Sequence, residues 1–362
     1  MHSHLAAITA ILLAASATAY DCPLAECDAC LTAAVRKAPG VGIELANSYG
    51  TAAVQHYNGT IDQIALIPGT QDYHDLLSRL SVSSSVPEQS FLERWHRRLN
   101  KRLGRPATAD VGTISAMLAS LRQATEQQLV VSLDRVVVTA PQFSGLTRED
   151  LADAIEYAGL RSWLEFRLPY PTMLYTLNAA YVGNGHGLCK EWKDVYACWE
   201  EAEIGELPLE TVLGVTFTNT TLQASVSRIA YAFEKSTDRH AAFPNLGYHS
   251  LPNYRRAEEY WAEVGSQLKR FLDGIHASGI KVTEVVLMGE RAGEEEFATA
   301  LKNAFGDGNI QELQLSHVVD PTWAASRGAA MYARVRQEVP WNCREPEACE
   351  TEQMARLIND EL

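Results

Sequence analysis

The stretch Val41–Val54 reads Val-Gly-Ile-Glu-Leu-Ala-Asn-Ser-Tyr-Gly-Thr-Ala-Ala-Val. A short apolar run enters the small residues Ala46, Asn47 and Ser48 and leaves as a second apolar run, the pattern of a β-hairpin. Asn58-Gly59 adds a tight-turn signal, and Ile61, Ala65 and Ile67 continue the sheet. The same grammar returns at Gly214–Val226, Gly-Val-Thr-Phe-Thr-Asn-Thr-Thr-Leu-Gln-Ala-Ser-Val. Superposed without a gap, Gly42 falls on Gly214, Ile43 on Val215, Asn47 on Asn219, Ala52 on Ala224 and Val54 on Val226. A hairpin used twice predicts two related half-domains facing each other across a cleft.

Outward from these hairpins, strand and helix patterns alternate, which makes the expected fold α/β. Val130-Val131 and Val136-Val137-Val138 are β-branched runs of the kind found in buried strands, the second ended by Pro141. Val285–Met288 is another, running into Gly289. Helical spacing covers Asp110–Leu129 through Ile114, Met117, Leu118 and Leu121. Thr147-Arg-Glu-Asp150 is a capping-box start for a helix stopped by Gly159. A long helix is expected over Tyr254–Asp273, ended by Gly274, and a further one over Glu294–Phe305. Pro321 is expected to open a last helix through Tyr332. The segment Gly183–Glu206 reads as loop. The basic run Arg94, His96, Arg97, Arg98, Lys101, Arg102 and Arg105 reads as a solvated helix rather than a binding patch.

The 362 residues suffice for two domains, and 46% hydrophobic content gives a core to fill them. A formal net charge of −14 argues against nucleic acid and against anionic membrane surfaces as partners. Met1–Ala19 reads as a secretory signal, with Leu5–Ala15 apolar apart from Thr9 and Ala17-Thr18-Ala19 as the cleavage pattern. Its leading residues include His2 and His4 but no Lys or Arg. The chain ends Asn359-Asp360-Glu361-Leu362, a partial match to the Asp-Glu-Leu retrieval signal in which Asn stands for the basic residue. The endoplasmic-reticulum lumen is therefore expected, with secretion the alternative. No later stretch is long and apolar enough to be a membrane anchor.

The seven cysteines, Cys22, Cys27, Cys30, Cys189, Cys198, Cys343 and Cys349, fit an oxidising compartment. Disulfides are expected over a zinc site, because no partner pair with metal spacing or adjacent His is present. Their connectivity stays open, and an odd count leaves one thiol free or intermolecular. Asn58-Gly-Thr60 and Asn219-Thr-Thr221 are glycosylation sequons. His186 between two glycines reads as a loop residue, and the His240 to His249 spacing matches no metal motif. Trp192, Tyr196 and Trp199 read as covering a disulfide-bounded loop, with an exposed recognition surface the alternative.

Together these segments resemble the nucleotide-binding domain of the seventy-kilodalton heat-shock chaperones of the DnaK type, within the actin and sugar-kinase superfamily. Gly42–Tyr49 resembles that family's first phosphate loop, Gly-Ile-Asp-Leu-Gly-Thr-Thr-Tyr. Val136–Pro141 resembles its Val-Ile-Thr-Val-Pro strand, and Ala158-Gly159-Leu160 its Ala-Gly-Leu. Pro171-Thr172 falls on Glu-Pro-Thr. Gly214–Val226 lies on the second phosphate loop, Val285–Gly289 resembles the adenosine motif, and Gly328-Ala329-Ala330 falls on the terminal Gly-Ala-Ala. The ordered set is similar to the divergent actin-like ATPase-domain proteins of filamentous fungi.

The resemblance implies a two-lobed fold of the actin-like, ribonuclease-H-like kind with duplicated β-hairpin half-domains. Residues 20–170 would form the first lobe and 171–335 the second, with a reduced upper subdomain between Thr221 and Gly289. Residues 336–362 would form a disulfide-containing tail, and no peptide-binding domain is expected. It also implies a nucleotide site at Glu44, Ala46, Asn47, Ser48, Thr216, Asn219, Thr220, Thr221, Gly289 and Glu290. Most of these depart from the family. Glu44 stands for Asp, Ala46 for Gly, and Asn47 and Ser48 for Thr; Thr216 stands for Asp, and Thr218, Asn219 and Thr220 for three glycines. Thr221 alone matches in the second loop. Tyr170 replaces a Glu and Glu290 a Gly. Glycines let backbone N–H groups close on phosphate, and carboxylates hold Mg²⁺.

With those residue types lost, the expected function is a pseudo-ATPase acting as a binding or regulatory module of the secretory pathway. Its expected partners are luminal proteins or chaperones, and it carries no assigned catalytic or metal residue. The alternative is a weakly hydrolysing, chaperone-like ATPase that takes ATP or ADP with Mg²⁺ on Glu44, Asn47, Ser48 and Thr221. A sugar-kinase-like enzyme with Glu44 as general base ranks third.

Overall fold

The computed structural model describes residues 35, 37–83, 90–164, 173–190, 197, 200–201, 204–205, 207–231, 233, 239–306, 314–316 and 319–338. Its first strands follow from the opening hairpin. β1 (Gly40–Leu45) pairs antiparallel with β2 (Tyr49–Gln55), and β2 with β3 (Ile61–Pro68). Gly59, at φ +89°, makes the second turn, a backbone conformation that glycine adopts without a Cβ clash. Helices α1 (Gln71–Ser81), α2 (Phe91–Arg102) and α3 (Ala109–Leu129) follow, capped by Thr70, Ser90 and Thr108. Then come β4 (Arg135–Ala140), α4 (Arg148–Tyr157), and the two-residue strands β5 (Arg161–Ser162) and β6 (Leu174–Tyr175). α5 (Thr176–Gly183) closes this part.

A second sheet begins with β7 (Glu210–Phe217), β8 (Leu222–Ile229) and β9 (Arg239–Phe243). Two short 3-10 segments, Pro244–Leu246 and Tyr248–Asn253, lead to α6 (Ala257–His276). β10 (Glu284–Met288), α7 (Glu295–Phe305), β11 (Gln314–Ser316) and α8 (Ala324–Glu338) complete the described chain. The protein is thus mixed α/β with two mixed sheets.

The sheets repeat one order. The first runs β3-β2-β1-β4-β5, with β6 also beside β4, and the second runs β9-β8-β7-β10-β11. In each, an antiparallel meander is continued by parallel strands on the free side of its first strand. The hairpins share register as well. Glu44 faces Thr51 and Ile43 faces Ala52, while Thr216 faces Gln223 and Val215 faces Ala224. These are the same pairs that the gap-free superposition of the two sequences aligns.

Period-two alternation sends Val41, Ile43 and Leu45 into a core with Tyr73 and Leu77 of α1, Ile114, Leu118 and Leu121 of α3, and Ala154 and Ile155 of α4. The second sheet sends Leu213, Val215 and Phe217 against Val264 and Leu268 of α6 and Phe297 and Leu301 of α7. On the opposite face of β1, a Cβ on Gly42 would lie 2.1 Å from Ala330 N of α8, so the missing side chain is what lets helix and strand backbones touch. Pro39–Val335 form one compact unit, so these contacts lie within a single body.

Several expectations need correction. Val130 and Val131 are not in a strand: Val130 caps α3 at φ +55° and is exposed, as is Val131. The helix expected over Tyr254–Asp273 starts at Ala257, because Tyr254 is held extended after the 3-10 turn containing Pro252. It also passes through Gly274 to His276. A helical Gly costs about 1 kcal/mol, less than the roughly 1.5–3 kcal/mol from burying Ile275. Pro321 does not open a helix. Asp320 Oδ1 accepts from Thr322 N in a turn, and α8 runs from Ala324 past Tyr332. The basic segment is helical but not simply solvated: its Arg97 is buried and its apolar residues are exposed. No helix among the described residues is long and apolar enough to cross a membrane.

Met1–Ala19, Tyr170, Pro171-Thr172, Trp192, Tyr196, Trp199, Asn359–Leu362 and every cysteine except Cys189 lie outside the described residues. Cys189 is buried and held in a disulfide.

Candidate functional site

The β1–β2 turn is Ala46-Asn47-Ser48, and all three are buried. Their backbone is pinned from α1 and the strand before it. Tyr73 OH donates to Ala46 O at 2.8 Å, while Gly69 N donates to Ser48 O, also at 2.8 Å. His74 Nε2 lies 3.1 Å from Ser48 O.

The β7–β8 turn, Thr218–Thr221, is held by its own threonine. Thr218 Oγ1 accepts from Thr221 N at 3.1 Å and from Thr220 N at 3.3 Å. From outside, Tyr248 N donates to Thr218 O and His249 N to Asn219 O. A Cβ on Gly247 would lie 2.2 Å from the Thr220 carbonyl carbon, so the 3-10 segment presses directly on the turn.

The third loop follows β10. Gly289 takes φ +101°, and a Cβ there would lie 2.3 Å from Phe217 O. This turn sets Glu290 between the other two loops. Its Oε1 accepts from Ser48 Oγ at 2.5 Å and from Asn219 N at 2.9 Å. The neighbouring Arg291 donates Nε to Asn219 Oδ1 at 2.8 Å and Nη1 to Glu294 at 3.0 Å, and its guanidinium lies 4.3 Å from the Tyr248 ring centroid. Beside this bridge Gln223 Nε2 donates to Asn47 Oδ1 at 2.7 Å. Two polar links therefore tie the first hairpin to the second, and a carboxylate of the chain itself is the centre of one.

Glu44 sits one position before the end of β1, 1% exposed. Thr51 Oγ1 donates to its Oε2 at 3.2 Å, and its Oε1 has no partner. Burial first, and the Glu290 charge after it, outweigh the Thr51 hydrogen bond and push this carboxyl up to about 8. Tyr49 is buried beside it with its hydroxyl unpartnered. Burial above all, then the charges of Glu44, Glu290 and Asp320, raises the phenol well above its usual range. Glu290 Oε2 is also without a partner.

Of the residues expected at a nucleotide site, the fold joins Ser48, Asn219 and Glu290 through direct hydrogen bonds, while Asn47 accepts from Gln223 beside them. Glu44 is adjacent. Ala46 contributes only its carbonyl, to Tyr73. Thr221 turns its hydroxyl to Leu222 O, and Thr220 stays within its own turn. Thr216 lies at the end of β7 and borders a cavity of about 30 Å³ with Gln223, Tyr175, Thr176 and His240. That is room for about one water molecule, far below the 300 Å³ or more of ordinary ligand pockets. Gln223, Arg291, Tyr248 and Thr51 belong to the site without having been singled out from sequence. Gln223 and Thr51 could have been found, since each faces a residue singled out from sequence, Thr216 and Glu44, in the shared hairpin register.

These residues do not fit a magnesium nucleotide. Phosphate oxygens need N–H and O–H donors, and Ser48 Oγ and Asn219 N are given to Glu290. A carboxylate at that point repels phosphate instead of replacing a glycine N–H. Among the described residues no group of three or more His, Cys, Asp or Glu is placed to hold a metal ion. His186 is not a bare loop residue: its Nδ1 lies 3.3 Å from Glu284 and its ring stacks on Tyr181. No family model matches the chain, and no curated protein matches it.

Proposed function

We propose that the chain is a degenerate module of the actin-like, heat-shock-seventy-like ATPase fold, working in the secretory pathway as a binding or regulatory protein and not as an ATPase. The observation that carries this reading is the Ser48–Glu290–Asn219 bridge, in which a carboxylate of the chain takes the donors that the resemblance assigns to phosphate. The repeated strand order and the shared hairpin register support the two-lobed fold. Met1–Ala19 and the Asn-Asp-Glu-Leu end support the luminal compartment, with luminal proteins as the partners.

The test is a thermal-shift and calorimetric titration of purified protein with ATP and ADP, with and without Mg²⁺. A ligand that binds only the folded state raises its stability by about 2.7 kcal/mol at a hundred times its Kd. The expected result is no saturable shift at millimolar nucleotide for the natural chain. A saturable shift, with hydrolysis lost in Glu44→Ala, would overturn the reading in favour of a weakly hydrolysing chaperone-like ATPase.

A further inference from the structure

Helix α2 is set on the protein with its charged side inward. Its one buried side chain is Arg97, 4% exposed. Arg97 Nε donates to Asp153 at 2.6 Å and Nη1 to Asp150 at 2.8 Å, and Lys101 Nζ reaches Asp153 at 2.6 Å and Glu156 at 2.7 Å. All these acids lie on α4, so ion pairs fix the rotation of α2 about its axis.

The other side of the helix carries Phe91, Leu92, Trp95 and Leu99, continued by Leu103 just past its end. All five are exposed, Phe91 by 76% and Trp95 by 50%. Phe91, Trp95, Leu99 and Leu103 are four residues apart and form one stripe. A surface helix ordinarily buries such a stripe, and an apolar patch left in water marks an interaction site. Along it stand Arg94, Arg98, Arg102 and Arg105, exposed and without an ion pair among the described residues. In a chain with 45 acidic against 31 basic residues, this is a concentrated cationic edge.

We infer that α2 is a docking surface for an anionic lipid surface. The helix lies flat in the headgroup layer, with the stripe against the acyl boundary and the four arginines on lipid phosphates. Charge complementarity selects this occupant. Trp, Phe and Leu on one face with Arg beside them is the composition of an interfacial helix, and a fluid surface asks only for apolar area and positive charge. At about 18 Å for 12 residues, the helix lies on a bilayer and does not span it. The net charge of −14 was the ground for expecting no anionic membrane partner, but charges more than about 8 Å away are largely screened at physiological ionic strength, so the local arginine edge governs contact at α2. The inference is independent of the reading of the loops.

The experiment uses the full chain and sedimentation with vesicles of phosphatidylcholine, alone or with about one-third phosphatidylserine. The chain is expected to sediment with the anionic vesicles, less so as salt rises. Trp95→Glu with Leu99→Glu is expected to weaken that binding about tenfold or more while the thermal midpoint stays in place, since both side chains face solvent. Arg98→Glu with Arg102→Glu is expected to remove the preference for anionic lipid. No sedimentation at millimolar lipid overturns the proposal, as does binding unchanged in the Trp95/Leu99 variant. Self-association lost in that variant, without lipid binding, would assign the stripe to a second copy and overturn it equally.

Discussion

Glu44 is a carboxyl that the fold keeps protonated. Its folded value of about 8 lies above the ordinary carboxylate range, so the native state holds a proton that the unfolded chain releases. Stability therefore falls as pH rises from about 4.5 through about 8 and levels off above, where both states are ionised. Glu44→Gln removes that titration. The variant is expected to gain on the natural chain across this window by up to a few kcal/mol, read as urea midpoints at pH 5, 7 and 9, with little difference at the acid end. A constant difference at all three pH values would contradict the assignment. Ser48→Ala tests the bridge: it strips Glu290 of a charge-assisted hydrogen bond and is expected to destabilise by about 1–3 kcal/mol in the same denaturation experiment. From sequence, Glu290 was visible as a carboxylate where the resemblance expects a glycine. Its partners were not, because Ser48 stands 242 positions away and no local pattern reports such a contact.

At the scale of elements, α2 shows how ion pairs override the usual inside-out logic of an amphipathic helix. Arg97→Ala leaves Asp153 to Lys101 alone and takes the guanidinium from Asp150, and is expected to cost about 1–3 kcal/mol and to speed amide exchange in α2 before the rest of the chain. Gly42→Ala addresses the β1–α8 contact. Its Cβ meets backbone atoms of Ala330 and Ser326, which cannot rotate away, so a loss of about 1–3 kcal/mol in chemical denaturation is expected. Apolar spacing was enough to foresee α3 and, with a capping-box start, α4, acidic first-turn residues pointed to α7, and β-branched runs to β4 and β10, because these signals are local to the element itself. Spacing could not orient α2, since it shows that a helix has an apolar side but not which way that side looks. It also placed the ends of α6 wrongly: Ile275 in the core outweighs the helix-breaking tendency of Gly274 before it.

At the scale of the whole molecule, one hairpin serves twice and the two copies hold each other. That geometry separates the two sequons. Asn58 stands in an exposed turn, its Oδ1 taken only by Thr60 of the same turn, whereas Asn219 is half-buried with its Oδ1 bound to Arg291. In a secretory host, Asn58→Gln is expected to abolish a glycan-dependent mobility shift and Asn219→Gln to leave it unchanged. A glycan on Asn219 would mean that the closed arrangement is not the one formed in the cell. The bridge itself reaches from the first hairpin to the turn after β10, and β1 is covered by α8 still later in the sequence. Translation at about 5–20 residues per second then separates the emergence of β1 from that of its covering helix by tens of seconds. Through that interval the nascent first sheet has one face without its covering helix, an unfinished surface while the chain is still being made.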